Sequence, residues 1–250
     1  NIANQALNLA MGANDDEKIG EVYYMLGQIY LQQDKLNETE QANLQAIDYL
    51  QNIAPGRTII SAHMALGNRY IERTNYPDAM DQYLKAVKIT EEIGEEKILP
   101  NLYNNLGIIY LKLNNTNKAL ELYSKAIKSF EAIDDTVNVA GTTTNIGSIY
   151  MELGEFAIAR DYYEKGLELF ISCGHRGGQA HALFKLGALD EQIEDYEKAE
   201  EEFLRSLELQ KEIETLTVGS RVLFITETYV SLGKVYLLMG KLDLAEKYLT

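Results

Sequence analysis

One short signature recurs through this chain at almost constant spacing. Leu26-Gly27-x-x-Tyr30 is followed by Leu66-Gly67-x-x-Tyr70, Leu106-Gly107-x-x-Tyr110 and Ile146-Gly147-x-x-Tyr150. It continues, altered, at Leu186-Gly187-x-x-Asp190 and returns at Leu232-Gly233-x-x-Tyr236. The glycines are 40, 40, 40, 40 and 46 residues apart. A period of that size marks a repeat architecture, in which each unit buries its apolar faces against its neighbours. A second mark lies 12 residues beyond five of the glycines, as Ala79, Ala119, Ala159, Ala199 and Ala245, with Thr39 in that place in the first unit. Four residues further, the middle units carry Tyr83, Tyr123, Tyr163 and Phe203. A small residue follows three later, as Ala46, Ala86, Ala126, Gly166 and Ser206.

The apolar and small positions fall at the i, i+3, i+4, i+7 spacing of an amphipathic helix. Each unit holds two such stripes, separated by a polar break such as Gln33-Asp34-Lys35, Thr74-Asn75 or Met239-Gly240-Lys241. That pattern predicts a helical hairpin with a tight turn. A glycine inside a helix costs about 1 kcal/mol against alanine. Its retention in all six units predicts close helix contact there, with the repeated alanines serving the same packing from the other side.

The full pattern, Leu-Gly-x-x-Tyr and then Ala-x-x-x-Tyr/Phe-x-x-Ala, resembles the tetratricopeptide repeat along essentially the whole chain. The resemblance implies an all-α, right-handed superhelical solenoid of antiparallel helix pairs. The usual unit has about 34 residues, so these are longer, and similar to units of bacterial sensory and peptide-responsive regulators. The expected division is a second helix of a truncated repeat at 1–13, repeats at 14–53, 54–93, 94–133 and 134–173, a fifth with an insertion at 174–219, and a truncated sixth at 220–250. Repeats cut at both ends predict a fragment of a longer protein, with self-association through the cut ends as one consequence. The longer step between Gly187 and Gly233 is expected within Glu212–Thr226, where Val218, Leu223, Phe224 and Ile225 suggest a packed connection or a docking edge.

In such an array the first helix of each unit lines the concave side, and the resemblance implies which residues face it. They include Tyr24 and Gln28, Met64 and Asn68, Asn101, Asn104 and Ile108, Thr144, Ser148 and Met151, and His181 and Phe184. The twelve groove positions of units two to four carry no charge. The Lys and Arg of the carboxylate clamp used by chaperone-binding members are absent, which argues against an acidic peptide tail. Asparagine both donates and accepts, and methionine adapts its shape, so the groove is expected to take an extended, largely uncharged or apolar segment. The expected function is a protein- or peptide-binding scaffold or sensory module, which the resemblance places within a larger, bacterial regulatory protein. A receptor responding to a ligand or signalling peptide, or the regulatory region of an enzyme whose catalytic domain lies elsewhere, are the alternatives.

Thirty-eight acids against 23 bases give a net charge of −15. That balance argues against nucleic acid, whose phosphates need a basic face. No apolar run approaches the roughly 18 residues of a membrane span, and a cytoplasmic place is expected, with the periplasm as alternative. No cofactor, metal or catalytic residue is expected. His175 and His181 are six apart, unlike the i, i+4 pair of a helical metal site. Gly174-His175-Arg176-Gly177-Gly178 reads as an inter-unit turn, because no strand precedes it and no phosphate-loop spacing is met. Cys173 stands where Ile53, Ile93, Ile133 and Ile213 stand elsewhere, which predicts a small core residue. Eight acids and one base between Asp190 and Glu202 read as a solvated face or a patch for a basic partner, and Asp190 itself, on the buried stripe, needs a partner.

Overall fold

The computed structural model describes residues 2–53, 55–216 and 225–250. Among them are 13 α-helices, one short 3-10 turn and no strand. They fall into two compact units, Asn1–Ser129 and Phe130–Thr250, each described by itself.

The first unit holds α1 (Ile2–Ala13), α2 (Asp16–Gln32), α3 (Leu36–Leu50), α4 (Arg57–Glu72), α5 (Tyr76–Ile93), α6 (Leu99–Lys112) and the start of α7 (Thr116–Glu131). Helices α2 and α3, and then α4 and α5, pack as antiparallel hairpins, and α3 packs on α4 as α5 does on α6. The signature explains the pairing. Gly67 on α4 leaves room for the ring of Tyr83 on α5: a Cβ built there would lie 2.6 Å from Tyr83 Cε2. Gly107 stands in the same relation to Tyr123, at 2.7 Å. Both rings are fully buried, with Ala79, Ala86 and Ala119 at 0% exposure beside the helix contacts. Burying each large side chain contributes about 1.5–3 kcal/mol. Two polar ties add specificity: Arg57 grips Glu95 at 2.7 and 2.8 Å, and Arg73 reaches Glu40 at 2.6 Å and Asn37 at 3.0 Å.

The second unit contains the remainder of α7, then α8 (Thr136–Glu152), α9 (Phe156–Ser172), α10 (Arg176–Gln192), α11 (Tyr196–Leu216), α12 (Ile225–Leu238) and α13 (Leu242–Leu249). Gly147 accommodates Tyr163 at 2.7 Å and Gly187 accommodates Phe203 at 2.8 Å, by the same built-Cβ measure. A buried polar chain joins three helices: Ser206 Oγ donates to the Ala180 carbonyl at 2.7 Å, and Gln210 Nε2 donates to Ser206 Oγ and Thr228 Oγ1 at 2.8 and 2.9 Å. The apolar connection expected within Glu212–Thr226, including Val218, Leu223 and Phe224, lies largely outside the described residues.

The signature residue also ends the helix that carries it. The carbonyls of Tyr30, Tyr70, Tyr110, Tyr150, Asp190 and Tyr236 each accept the backbone N–H five residues later, at 2.8–2.9 Å. Between donor and acceptor sits a left-handed residue: Asp34, Thr74, Asn114, Gly154, Glu194 or Gly240. This is the Schellman stop, which satisfies carbonyls the helix leaves unpaired. Side-chain caps open many of the helices that follow, with Asn115 and Asp195 accepting the N–H of Lys118 and Lys198.

The glycine-rich turn before α10 follows the same logic. Gly174 takes φ +69°, His175 Nδ1 accepts the Gly178 N–H at 2.9 Å, and the absent side chain of Gly178 makes room for Phe170. Cys173 corrects the expectation of a core residue. It terminates α9 with an exposed side chain, its Sγ 3.5 Å from the Phe170 carbonyl, because the equivalent position lies at a helix end rather than inside the stack.

Candidate functional site

In the first unit, α2, α3 and α4 enclose a recess of about 480 Å³. Seven residues expected to face a groove line it: Tyr24, Gln28, Leu31, Ser61, Met64, Asn68 and Ile71. Met64 also packs on the core around Ile60 and Tyr83. Asn68 is exposed, yet its amide is already engaged, since its Oδ1 accepts the Tyr83 hydroxyl. Burial pushes that phenol above its ordinary range, and a hydrogen bond from Asn105 partly offsets the shift. Asn101, Asn104 and Ile108 stand together on α6, outside this recess, with Asn101 exposed and the other two half-buried.

Three residues of the recess region break the repeat. Thr39 stands where other units have alanine, Asn43 where units two to five have an aromatic ring and the sixth has Leu249, and Arg69 where they have Ile109, Ile149, Leu189 or Val235. All three are buried, at 2%, 0% and 8% exposure. Thr39 and Arg69 line the recess. Asn43 lies one turn along α3 from Thr39, donates to its carbonyl at 2.8 Å and fills the space beside Gly27. Asn43 Oδ1 and Arg69 Nε are two of the four buried side-chain polar atoms without a hydrogen-bond partner among the described residues. Arg69 Nη1 pairs with Glu72. The groove register does not single out Asn43 or Arg69. Their signal in the sequence is the broken repeat, at positions that are apolar elsewhere.

In the second unit the expected positions meet a different fate. Thr144 is fully buried and cannot face a groove. It donates to the Ala140 carbonyl at 2.9 Å and fills the space that Gly166 leaves open on α9. Ser148 accepts the Tyr163 hydroxyl at 3.2 Å, as Asn68 does for Tyr83. Met151 is half-buried against the core around Tyr163 and Leu186, and Phe184 lies with its ring centroid 5.4 Å from that of Phe203. His181 is half-buried; burial, with Lys185 adding repulsion, pushes its pKa down to about 4, so the ring is neutral at pH 7.

The acidic stretch is largely neutralised by neighbours. Asp190 pairs with Arg160, Glu191 with Lys234, Asp195 with Lys198, Glu200 with Lys241, and Glu201 and Glu202 with Arg205. Six of its eight carboxylates therefore sit in ion pairs, sharing five cations. Among the described residues, no group of three or more His, Cys, Asp or Glu is arranged to hold a metal ion. No described helix is long and apolar enough to cross a membrane.

Sequence profiles described as tetratricopeptide repeat match residues 58–132 and 138–212, and a second profile of that description matches 20–49 and 226–250. The chain belongs to the tetratricopeptide repeat family. A comparison with curated proteins finds no significant match. Among solved structures, the apo form of RapI superposes at TM-score 0.72 with 15% identity, over 99% of this chain and 86% of that one. NprR in complex with its cognate peptide NprX gives 0.70 and 18%, over 98% and 70%. A signal transduction ATPase with numerous domains and a tetratricopeptide repeat sensor, from Pyrococcus horikoshii, gives 0.72 and 19%, over 98% of this chain and 38% of that one. At these identities the likeness speaks to the fold. The tetratricopeptide hairpins thus account for the glycines, alanines and tyrosines, and leave the recess residues of the first unit as departures from the pattern.

Proposed function

We propose that this tetratricopeptide repeat chain is a non-enzymatic scaffold that binds an extended, largely uncharged peptide segment along the faces of its first helices. The observation that carries this reading is the recess of α2, α3 and α4, where Tyr24, Gln28, Met64 and Asn68 converge on one concavity of a size suited to a ligand. Polar groups there that both donate and accept suit a peptide backbone, and the apolar ones suit its side chains. The NprR structure, which holds a cognate peptide on a similar fold, supports the same reading. A second reading, a sensory region of a larger signalling protein, draws support from the Pyrococcus ATPase with its tetratricopeptide sensor.

Selection of peptides from a random display library on the purified chain tests the function. Enriched peptides are expected to be poor in charge and to lose about tenfold in affinity when Gln28 and Asn104 are both replaced by alanine. Enrichment of strongly acidic or basic peptides, or affinities indifferent to Q28A/N104A, overturns the proposal.

A further inference from the structure

The second and fourth hairpins each supply a tyrosine that completes their own packing. Tyr83 lies against Gly67 and its hydroxyl meets Asn68; Tyr163 lies against Gly147 and its hydroxyl meets Ser148. In both cases the hydroxyl partner is the residue directly after the signature glycine. The first hairpin keeps the glycine, Gly27, but has Asn43 in place of the ring. The residue after Gly27 is Gln28, and Gln28 lines the recess. The concavity, lined by Gln28 but not by Gly27 or Asn43, therefore opens on the side where the hydroxyl of a tyrosine lies in the second and fourth hairpins.

The surroundings fit that missing group. Tyr24, Leu31 and Met64 offer apolar walls, and Gln28 offers the amide that a hydroxyl would meet. Arg69 brings a cation to the buried wall with its Nε–H unpaired. A guanidinium suits both the face of an aromatic ring and a phenolic oxygen.

We infer that the recess is an anchor subsite for a tyrosine side chain of the bound segment, which supplies in trans the ring that the first hairpin lacks. This rests on the proposed peptide-binding function and names the residue that the segment places in the first unit. An aliphatic anchor would leave Gln28 and Arg69 unmatched, and a carboxylate would compete with Glu72 for the same guanidinium.

The probe is 4-methylphenol, the tyrosine side chain alone, with toluene as its hydroxyl-free counterpart, titrated into the isotope-labelled chain and followed by amide shifts. Saturating shifts confined to α2, α3 and α4 are expected, with 4-methylphenol about fivefold tighter than toluene, the worth of one net hydrogen bond. Asn43→Tyr supplies the ring internally and should weaken 4-methylphenol by about tenfold or more. Gln28→Leu, which does not depend on repacking α3, should abolish the preference over toluene. Shifts that do not saturate or spread across both units overturn the subsite, as does an unaltered affinity in N43Y or an unaltered preference in Q28L. Loss of the subsite with library peptides still bound would leave the proposed function standing. Phenol binding as expected with no selectable peptide would overturn the function and leave the subsite.

Discussion

The carboxylate of Asp190 is buried at 1% exposure and paired to the guanidinium of Arg160, 30 residues earlier on the neighbouring hairpin. Arg160 keeps 28% of its side chain exposed, whereas Asp190 has no route to water and one oxygen, Oδ2, without a partner. The two partners are therefore unequal. Removing Asp190 lets the arginine turn outward; removing Arg160 strands a buried charge. The hydrogen bond to Asp190 holds Arg160 above its ordinary pKa, consistent with a tight pair. Arg160→Met should cost about 3 kcal/mol in urea unfolding, and Asp190→Asn about half of that. Equal losses, or a larger loss for D190N, would show that stranding the buried carboxylate is not what makes the pair costly to break.

Two glycines of α8 make opposite predictions from one helix. A Cβ on Gly147 would lie 2.7 Å from Tyr163 and 3.2 Å from the Ala159 carbonyl, so Gly147→Ala must displace a buried ring. A Cβ on Gly141 meets nothing within 4 Å. G147A should destabilise by about 1–3 kcal/mol through overpacking. G141A should stabilise by about 0.5–1 kcal/mol through helix propensity and a stiffer unfolded chain. Thermal unfolding of both variants gives the two signs side by side.

The hairpins, their turns and the close helix approach at each glycine were readable in the sequence because each is repeated at fixed spacing, and repetition separates packing from chance; that a ring, rather than the repeated alanine, lies against Gly67, Gly107, Gly147 and Gly187 was not. Single pairings were not. Thr144 occupies a groove register, yet it sinks because Gly166 replaces alanine on α9, a compensation made once in the chain. Arg160 and Asp190 meet only through the stacking of adjacent hairpins. Thr39, Asn43 and Arg69 break the pattern at three different registers of two hairpins, and only folding brings Thr39 and Arg69 to one recess, with Asn43 buried a turn away along α3. A carbonyl–amide turn can be inferred from its residue types. A site formed by departures cannot, until the departures are placed in space.

His181 makes stability depend on pH. Its folded pKa is about 4, lowered by burial and by Lys185, against about 6.5 in an unfolded chain. Above pH 6.5 neither state binds the proton, and the full stability is present. As pH falls towards 4 the unfolded state is protonated first, so stability is lost on acidification. The contribution lost at pH 5 is about 2 kcal/mol. His63, also lowered by burial while its Nδ1 lies 2.7 Å from Gln82 Oε1, acts in the same direction. Urea unfolding at pH 7 and pH 5 should show a smaller difference for His181→Gln than for the parent chain. An identical difference would mean that the ring accepts its proton in the folded state.

Gln210 ties α12 to α11. Its amide nitrogen donates to Ser206 and Thr228, all three side chains are fully buried, and Ser206 anchors the chain to the Ala180 carbonyl on α10. Removing the amide acts twice, by opening a cavity and by depriving two hydroxyls of a partner. Gln210→Ala should therefore cost about 2–4 kcal/mol. Gln210→Leu keeps most of the volume and should cost less, with Ser206 still bonded to Ala180. The damage should be local before it is global, because α12 and α13 meet the rest of their unit chiefly through α11. Hydrogen exchange resolves this: amides of α12 and α13 should lose protection in Q210A under conditions where α8 and α9 keep theirs. Uniform loss across the second unit would mean that the network sets global stability rather than the docking of the last hairpin.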